Sequence, residues 1–101
     1  MSYKHNNLMA MRNQYWQDNS LRAQQEKAQL KIFLSHTQLF EQVGESELKY
    51  FFYCLPSAII MKGYALGFNH PKVIHVMKKY IIQNKSLLKC KAEIKIQYRF
   101  Q

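Results

Sequence analysis

Positions 69–79 carry Asn69, His70, Lys72, His75, Lys78 and Lys79, with no Asp or Glu among them. Amide, imidazole and ammonium groups at that density are hydrogen-bond donors suited to anions, either the oxygens of a phosphate or the acceptor edge of guanine. The bias continues beyond this segment. Residues 62–101 hold nine Lys or Arg against one acidic residue, a net of +8, whereas residues 1–61 hold six against five, a net of +1. A basic half of this density attracts a polyanion such as DNA, RNA or an anionic membrane surface. The plain alternative is a set of lysines that only keeps a small domain soluble, but such surfaces usually mix both signs.

Other chemistries find no matching constellation. The six acidic residues form no convincing carboxylate pair, and there is no Gly-rich phosphate loop and no Ser or Cys nucleophile signature. No enzymatic activity and no catalytic residue are expected. His70 and His75 are five apart and share a helix face poorly, and Cys54 and Cys90, 36 positions apart, have no nearby partner. No metal site and no cofactor are expected, and the cysteines do not make a disulfide framework. The first residues lack the apolar core of a signal peptide, and the longest uncharged apolar run, residues 50–55, is far too short to cross a bilayer. The expected setting is cytoplasmic, away from membranes.

The elements that must position the basic cluster follow from patterning. A chain of 101 residues with three Gly and two Pro reads as one mainly helical domain spanning 1–101. A weak apolar stripe at residues 8–16 suggests a first helix, frayed or partner-dependent, within residues 1–17. Asp18, Asn19 and Ser20 offer capping oxygens for a long helix over 21–43, which Gly44 would stop. Ser46 would cap a third helix whose Leu48, Phe51, Phe52 and Leu55 fall at i, i+3, i+4 and i+7. The cluster at 50–53 reads as core rather than as a base-stacking platform. Pro56 would end that helix and Ser57 would cap the next. Residues 84–86 read as a polar connector. From residue 89 to 100, Cys90, Ala92, Ile94, Ile96, Tyr98 and Phe100 alternate with polar residues, which predicts a single C-terminal β-strand. A lone strand leaves its ladder groups unpaired. It would therefore pair with its copy in a homodimer, with a partner protein, or with a local strand over residues 58–68.

Within residues 57–83, Gly63 is a small residue on a first helix and Gly67, four positions on, provides a turn. Phe68 is an apolar plug, Asn69 a cap for a second helix, and Pro71 falls in that helix's first turn, where its missing N–H costs nothing. The run Leu66-Gly67-Phe68-Asn69-His70-Pro71-Lys72-Val73 resembles the helix-turn-helix of bacterial and phage transcriptional regulators, over residues 57–80. The chain departs from that family at Gly63, where Ala is usual, and at Lys62, where an apolar residue is common.

The resemblance implies a second helix that turns Val73, Val76, Met77 and Tyr80 inward and His70, Lys72, Ile74, His75, Lys78 and Lys79 outward. Asn69, His70, Lys72, Ile74 and His75 would then read bases: Lys72 and His75 donate to guanine, and Ile74 meets a thymine methyl. Lys78, Lys79 and Lys85 would grip phosphates. Lys89, Lys91, Lys95 and Arg99, on one face of the expected strand, would add further phosphate contacts, or would keep an exposed strand edge soluble. The function these expectations define is a sequence-specific transcriptional regulator that binds double-stranded DNA, as a homodimer or with a partner protein. The competing expectation is a protein-interaction module, such as an adaptor, an inhibitor or a subunit of a heteromeric complex. RNA binding is a third, allowed by charge alone.

Overall fold

A computed structural model describes the backbone of residues 2–99 and the side chains of residues 9–89. Those residues form helices α1 (Ser2–Gln17), α2 (Leu21–Thr37), α3 (Glu45–Cys54), α4 (Ser57–Leu66) and α5 (Pro71–Arg99).

Each junction has a local cause. Ser20 caps α2, its hydroxyl accepting the Ala23 N–H at 3.2 Å. At the other end Gln38 takes a left-handed φ of 60°. Thr37 bonds back to the Leu34 carbonyl and accepts the Leu39 N–H, so its hydroxyl competes with the helix ladder while Leu39 turns into the core. At the start of α3, Glu47 reaches back to accept the Gly44 N–H at 2.8 Å, one half of a capping box. Pro56 lies between α3 and α4, where its fixed φ suits the bend and no donor is missed.

The core is one apolar cluster. Leu30 and Leu34 of α2, Leu48, Phe51 and Phe52 of α3, and Ile59 and Ile60 of α4 meet Val73, Met77, Ile81 and Leu88 of α5. On α3 the buried residues are those of the expected stripe. α1 joins through Tyr15, whose ring stacks on Phe52 with centroids 5.2 Å apart.

Several expectations are corrected. Residues 89–99 are helical, the continuation of α5, and no strand occurs among the described residues. The physical reason is backbone satisfaction. No Gly or Pro follows Pro71, so an established helix can propagate residue by residue, each closing its own hydrogen bond, whereas a strand would need a ladder partner that the chain lacks. The homodimer or partner protein expected to pair with that strand loses its docking edge. The local alternative fails as well, because residues 57–66 are α4. α2 ends six residues before the expected 43. Gly44 begins α3 rather than ending α2, Pro56 rather than Ser57 is the N-cap residue of α4, and Ser46 lies inside α3. The connector expected at 84–86 survives as a kink: Asn84 departs from helical geometry (φ −124°, ψ 16°) and its side-chain amide donates to the Tyr80 carbonyl. Among the described residues no helix is long and apolar enough to cross a membrane.

Candidate nucleic-acid interface

α4 and α5 are joined by the four residues Gly67, Phe68, Asn69 and His70. Gly67 closes α4 by donating its N–H to the Gly63 carbonyl at 2.7 Å, and its own carbonyl accepts the His70 N–H at 3.1 Å. Its φ of 101° is one that residues with a Cβ rarely adopt, so Gly is the residue this turn requires. Phe68 is fully buried and packs against Tyr15 (centroids 4.8 Å apart) and Phe52 (5.3 Å). Its ring occupies the space that a side chain on Gly63 would need: a Cβ there would lie 2.2 Å from Phe68 Cε1. Gly63 and Phe68 are thus a matched pair.

At the start of α5 the cap falls to His70 rather than to the expected Asn69. The His70 imidazole Nδ1 accepts the Lys72 N–H at 3.1 Å, and the His70 carbonyl accepts the first helical N–H, from Ile74. His70 is therefore partly engaged by its own backbone, while its Nε2 remains outside that bond.

Along α5 the inner stripe is Val73, Met77 and Ile81, all buried, with Val76 and Tyr80 half-buried beside it. Tyr80 donates its hydroxyl to the Cys54 carbonyl at 3.0 Å, which ties α5 to the end of α3. The outer face carries Lys72, His75, Lys78, Lys79, Lys85 and Lys89, all exposed, and Ile82, which is 77 % exposed in their midst. Asn69 and His70 are half-buried at its amino-terminal end. Ile74, expected to point outward, is half-buried and packs against the core. The side chains of Lys91, Lys95 and Arg99 lie outside the described residues. No Asp or Glu occurs on α5 between Pro71 and Lys89, so nothing on that stretch of the helix offsets its cations; the helix's one acidic residue, Glu93, comes after it.

Comparison with protein-family models, curated proteins and solved structures finds no match to this chain.

Behind the α4–α5 turn sits a group that the sequence pattern did not single out. Glu26 is 3 % exposed and lies on the buried stripe of α2, between Ala23 and Leu30. One carboxylate oxygen accepts the Tyr15 hydroxyl at 2.7 Å and the Phe68 N–H at 3.3 Å, while the other accepts Arg22 Nε at 2.7 Å. A small cavity of about 120 Å³ opens beside it, bounded by Tyr15, Arg22, Gly63, Tyr64 and others. Burial raises the Tyr15 phenol well above its ordinary pKa, reinforced by its bond to Glu26. Burial likewise raises Tyr64. Asp18, at the rim, is held below the usual carboxylate range by the backbone N–H and hydroxyl of Ser20. One signal could have found Glu26: positions 23, 26, 30 and 34 follow helical spacing, so it falls where an apolar residue belongs.

A second buried charge is Arg12, 7 % exposed, whose Nη2 donates to the Leu55 carbonyl at 2.6 Å where α3 ends. Its Nε has no hydrogen-bond partner among the described residues. Lys27 bridges the end of α1, donating to the Trp16 and Asp18 carbonyls and lying over the Trp16 ring 5.2 Å from its centroid. Among the described residues no three His, Cys, Asp or Glu are grouped to hold a metal ion.

Proposed function

We propose that the protein binds double-stranded DNA by laying the amino-terminal half of α5 into the major groove, and that it acts as a transcriptional regulator. One observation carries this: a helix anchored by Val73, Met77 and Ile81 offers solvent an acid-free face with Lys72, His75, Lys78 and Lys79, directly after a tight turn at Gly67. A two-helix unit of this kind can seat its second helix in the groove, with the residues at that helix's amino-terminal end nearest the bases.

In this arrangement Lys72 and His75, with the free edges of Asn69 and His70, meet base edges. Lys78, Lys79, Lys85 and Lys89 hold phosphates, which fixes position without specifying sequence. Ile74, packed inward, is a weaker candidate for a thymine methyl than its spacing suggested, and the exposed apolar group on this face is Ile82.

Selection from a random duplex library near physiological salt tests the proposal, and a recurrent motif is the expected result. Lys72→Ala combined with His75→Ala should lower the preference for that motif by about tenfold or more, at about 1–3 kcal/mol per lost base contact. Affinity for random duplex should change much less. With about five phosphate contacts, log affinity should fall with log salt at a slope near −4.5. Background binding with no motif, together with a partner protein that co-purifies with the chain, would instead support the interaction-module reading. Preference for folded or single-stranded RNA over duplex would support the third.

A further inference from the structure

We propose that Glu26 is a positioning residue for the DNA-facing helix, its carboxylate holding the α4–α5 turn in the one orientation that presents α5; this rests on the function proposed above. The Phe68 N–H is the donor at the centre of that turn. It is buried, and the hydrogen bond it makes is to Glu26, at 3.3 Å, from an element 42 residues earlier in the chain. The same oxygen accepts the Tyr15 hydroxyl at 2.7 Å, so one atom joins α1, α2 and the turn. Arg22, largely exposed, satisfies the second oxygen at 2.7 Å.

Packing alone gives no reason for an acid here. Glu26 sits on the stripe of Ala23, Leu30 and Leu34, where an apolar residue of similar volume would fill the space without the cost of burying a charge. What the carboxylate supplies is an acceptor for a backbone donor that has no other. Without it the Phe68 N–H stands unpaired in an aromatic surround, and the turn relieves that by tilting its amide toward water. His70, Lys72 and His75 follow within seven residues of Phe68 and move with it. Long-range attraction to phosphates is indifferent to such a tilt, whereas base reading depends on it.

Three variants of the full chain separate positioning from stability. Glu26→Gln keeps an oxygen for both Phe68 and Tyr15. Glu26→Leu keeps the volume and removes both acceptors. Tyr15→Phe lowers stability while leaving Phe68 its partner. The readouts are hydrogen exchange at the Phe68 amide, measured against Met77, and the ratio of affinities for the selected motif and random duplex, with helicity and thermal stability recorded alongside.

In the unaltered chain the Phe68 amide should be protected. In Glu26→Leu it should exchange about tenfold or more faster relative to Met77, and the affinity ratio should drop by about tenfold with random-duplex binding kept. Glu26→Gln should restore both, and Tyr15→Phe should change neither. An unprotected Phe68 amide in the unaltered chain overturns the tie, as does a Glu26→Leu variant with undiminished preference. A loss of preference in Tyr15→Phe that matches its loss of stability overturns the positioning role, and so does a Glu26→Gln variant that binds no better than Glu26→Leu. If Glu26→Leu does not fold, the unaltered chain, Glu26→Gln and Tyr15→Phe still decide. If the unaltered chain prefers no duplex at all, the DNA reading fails and the role in recognition goes with it, while the exchange data still judge the tie.

Discussion

A methyl group at position 63 would sit 2.2 to 2.5 Å from three atoms of the Phe68 ring. That ring is fully buried among Tyr15, Phe52 and Tyr64, so it has nowhere to retreat. Two effects compete in Gly63→Ala. Helix propensity favours Ala by about 1 kcal/mol. Overpacking costs about 1–3 kcal/mol, and a contact this short against a fixed ring lies at the upper end. Gly63→Ala should therefore lower stability by about 1–2 kcal/mol net, read as a fall in the urea midpoint at unchanged slope. A midpoint that rises would show that the ring can move aside. Gly at this position has a reason visible in the chain's own packing: Phe68 takes the volume that a methyl would need. The sequence exposed Gly67, Phe68 and Pro71 because turn chemistry is local. It concealed Glu26, because a glutamate on a helix is usually solvated, and only the distant Tyr15 and Phe68 make this one internal.

Helices α3 and α4 were readable because their ends and faces are set by residues close in sequence: Pro56 between them, and Leu48, Phe51 and Phe52 at helical spacing. The helical pattern of α2 runs past its true end at Thr37 because Gln38 has no breaker's identity. Its left-handed conformation comes from the pull of Leu39 into the core. The tail's pattern misleads for a different reason. Apolar–polar alternation is a strand signal only when a second strand can complete the ladder, and residues 89–99 instead complete their hydrogen bonds within α5. Proline separates the two structures. Ala92→Pro removes one i→i−4 bond and clashes with the carbonyl four residues back, about 3 kcal/mol or more within a helix interior. Far-UV circular dichroism should lose helical signal from the tail while the α1–α4 core stays folded. An unchanged spectrum would contradict a helical 89–99. The kink at Asn84 makes such a local loss tolerable, since the helix already changes direction before the tail begins.

At the scale of the molecule, helix dominance and charge are legible, whereas the structure of the tail and the assembly are not. Helix dominance follows from few Gly and Pro, and the basic half from counting. How the segments close around Tyr15, Phe52 and Phe68 depends on contacts between different helices, Tyr15 with Phe52 and with Phe68 above all, which no local pattern records. The outer face of α5 gathers its cations along one rod, while the rest of the chain is nearly neutral. Such a body has a preferred pose on any anionic plane, and its retention on a cation-exchange column reflects that rod more than its total charge. Lys78→Gln and Lys79→Gln, compensated by Gln25→Lys and Gln29→Lys on the exposed side of α2, leave the net charge at +9. The redistributed protein should nonetheless elute at lower salt than the original, and equal elution would mean that the column senses only the sum.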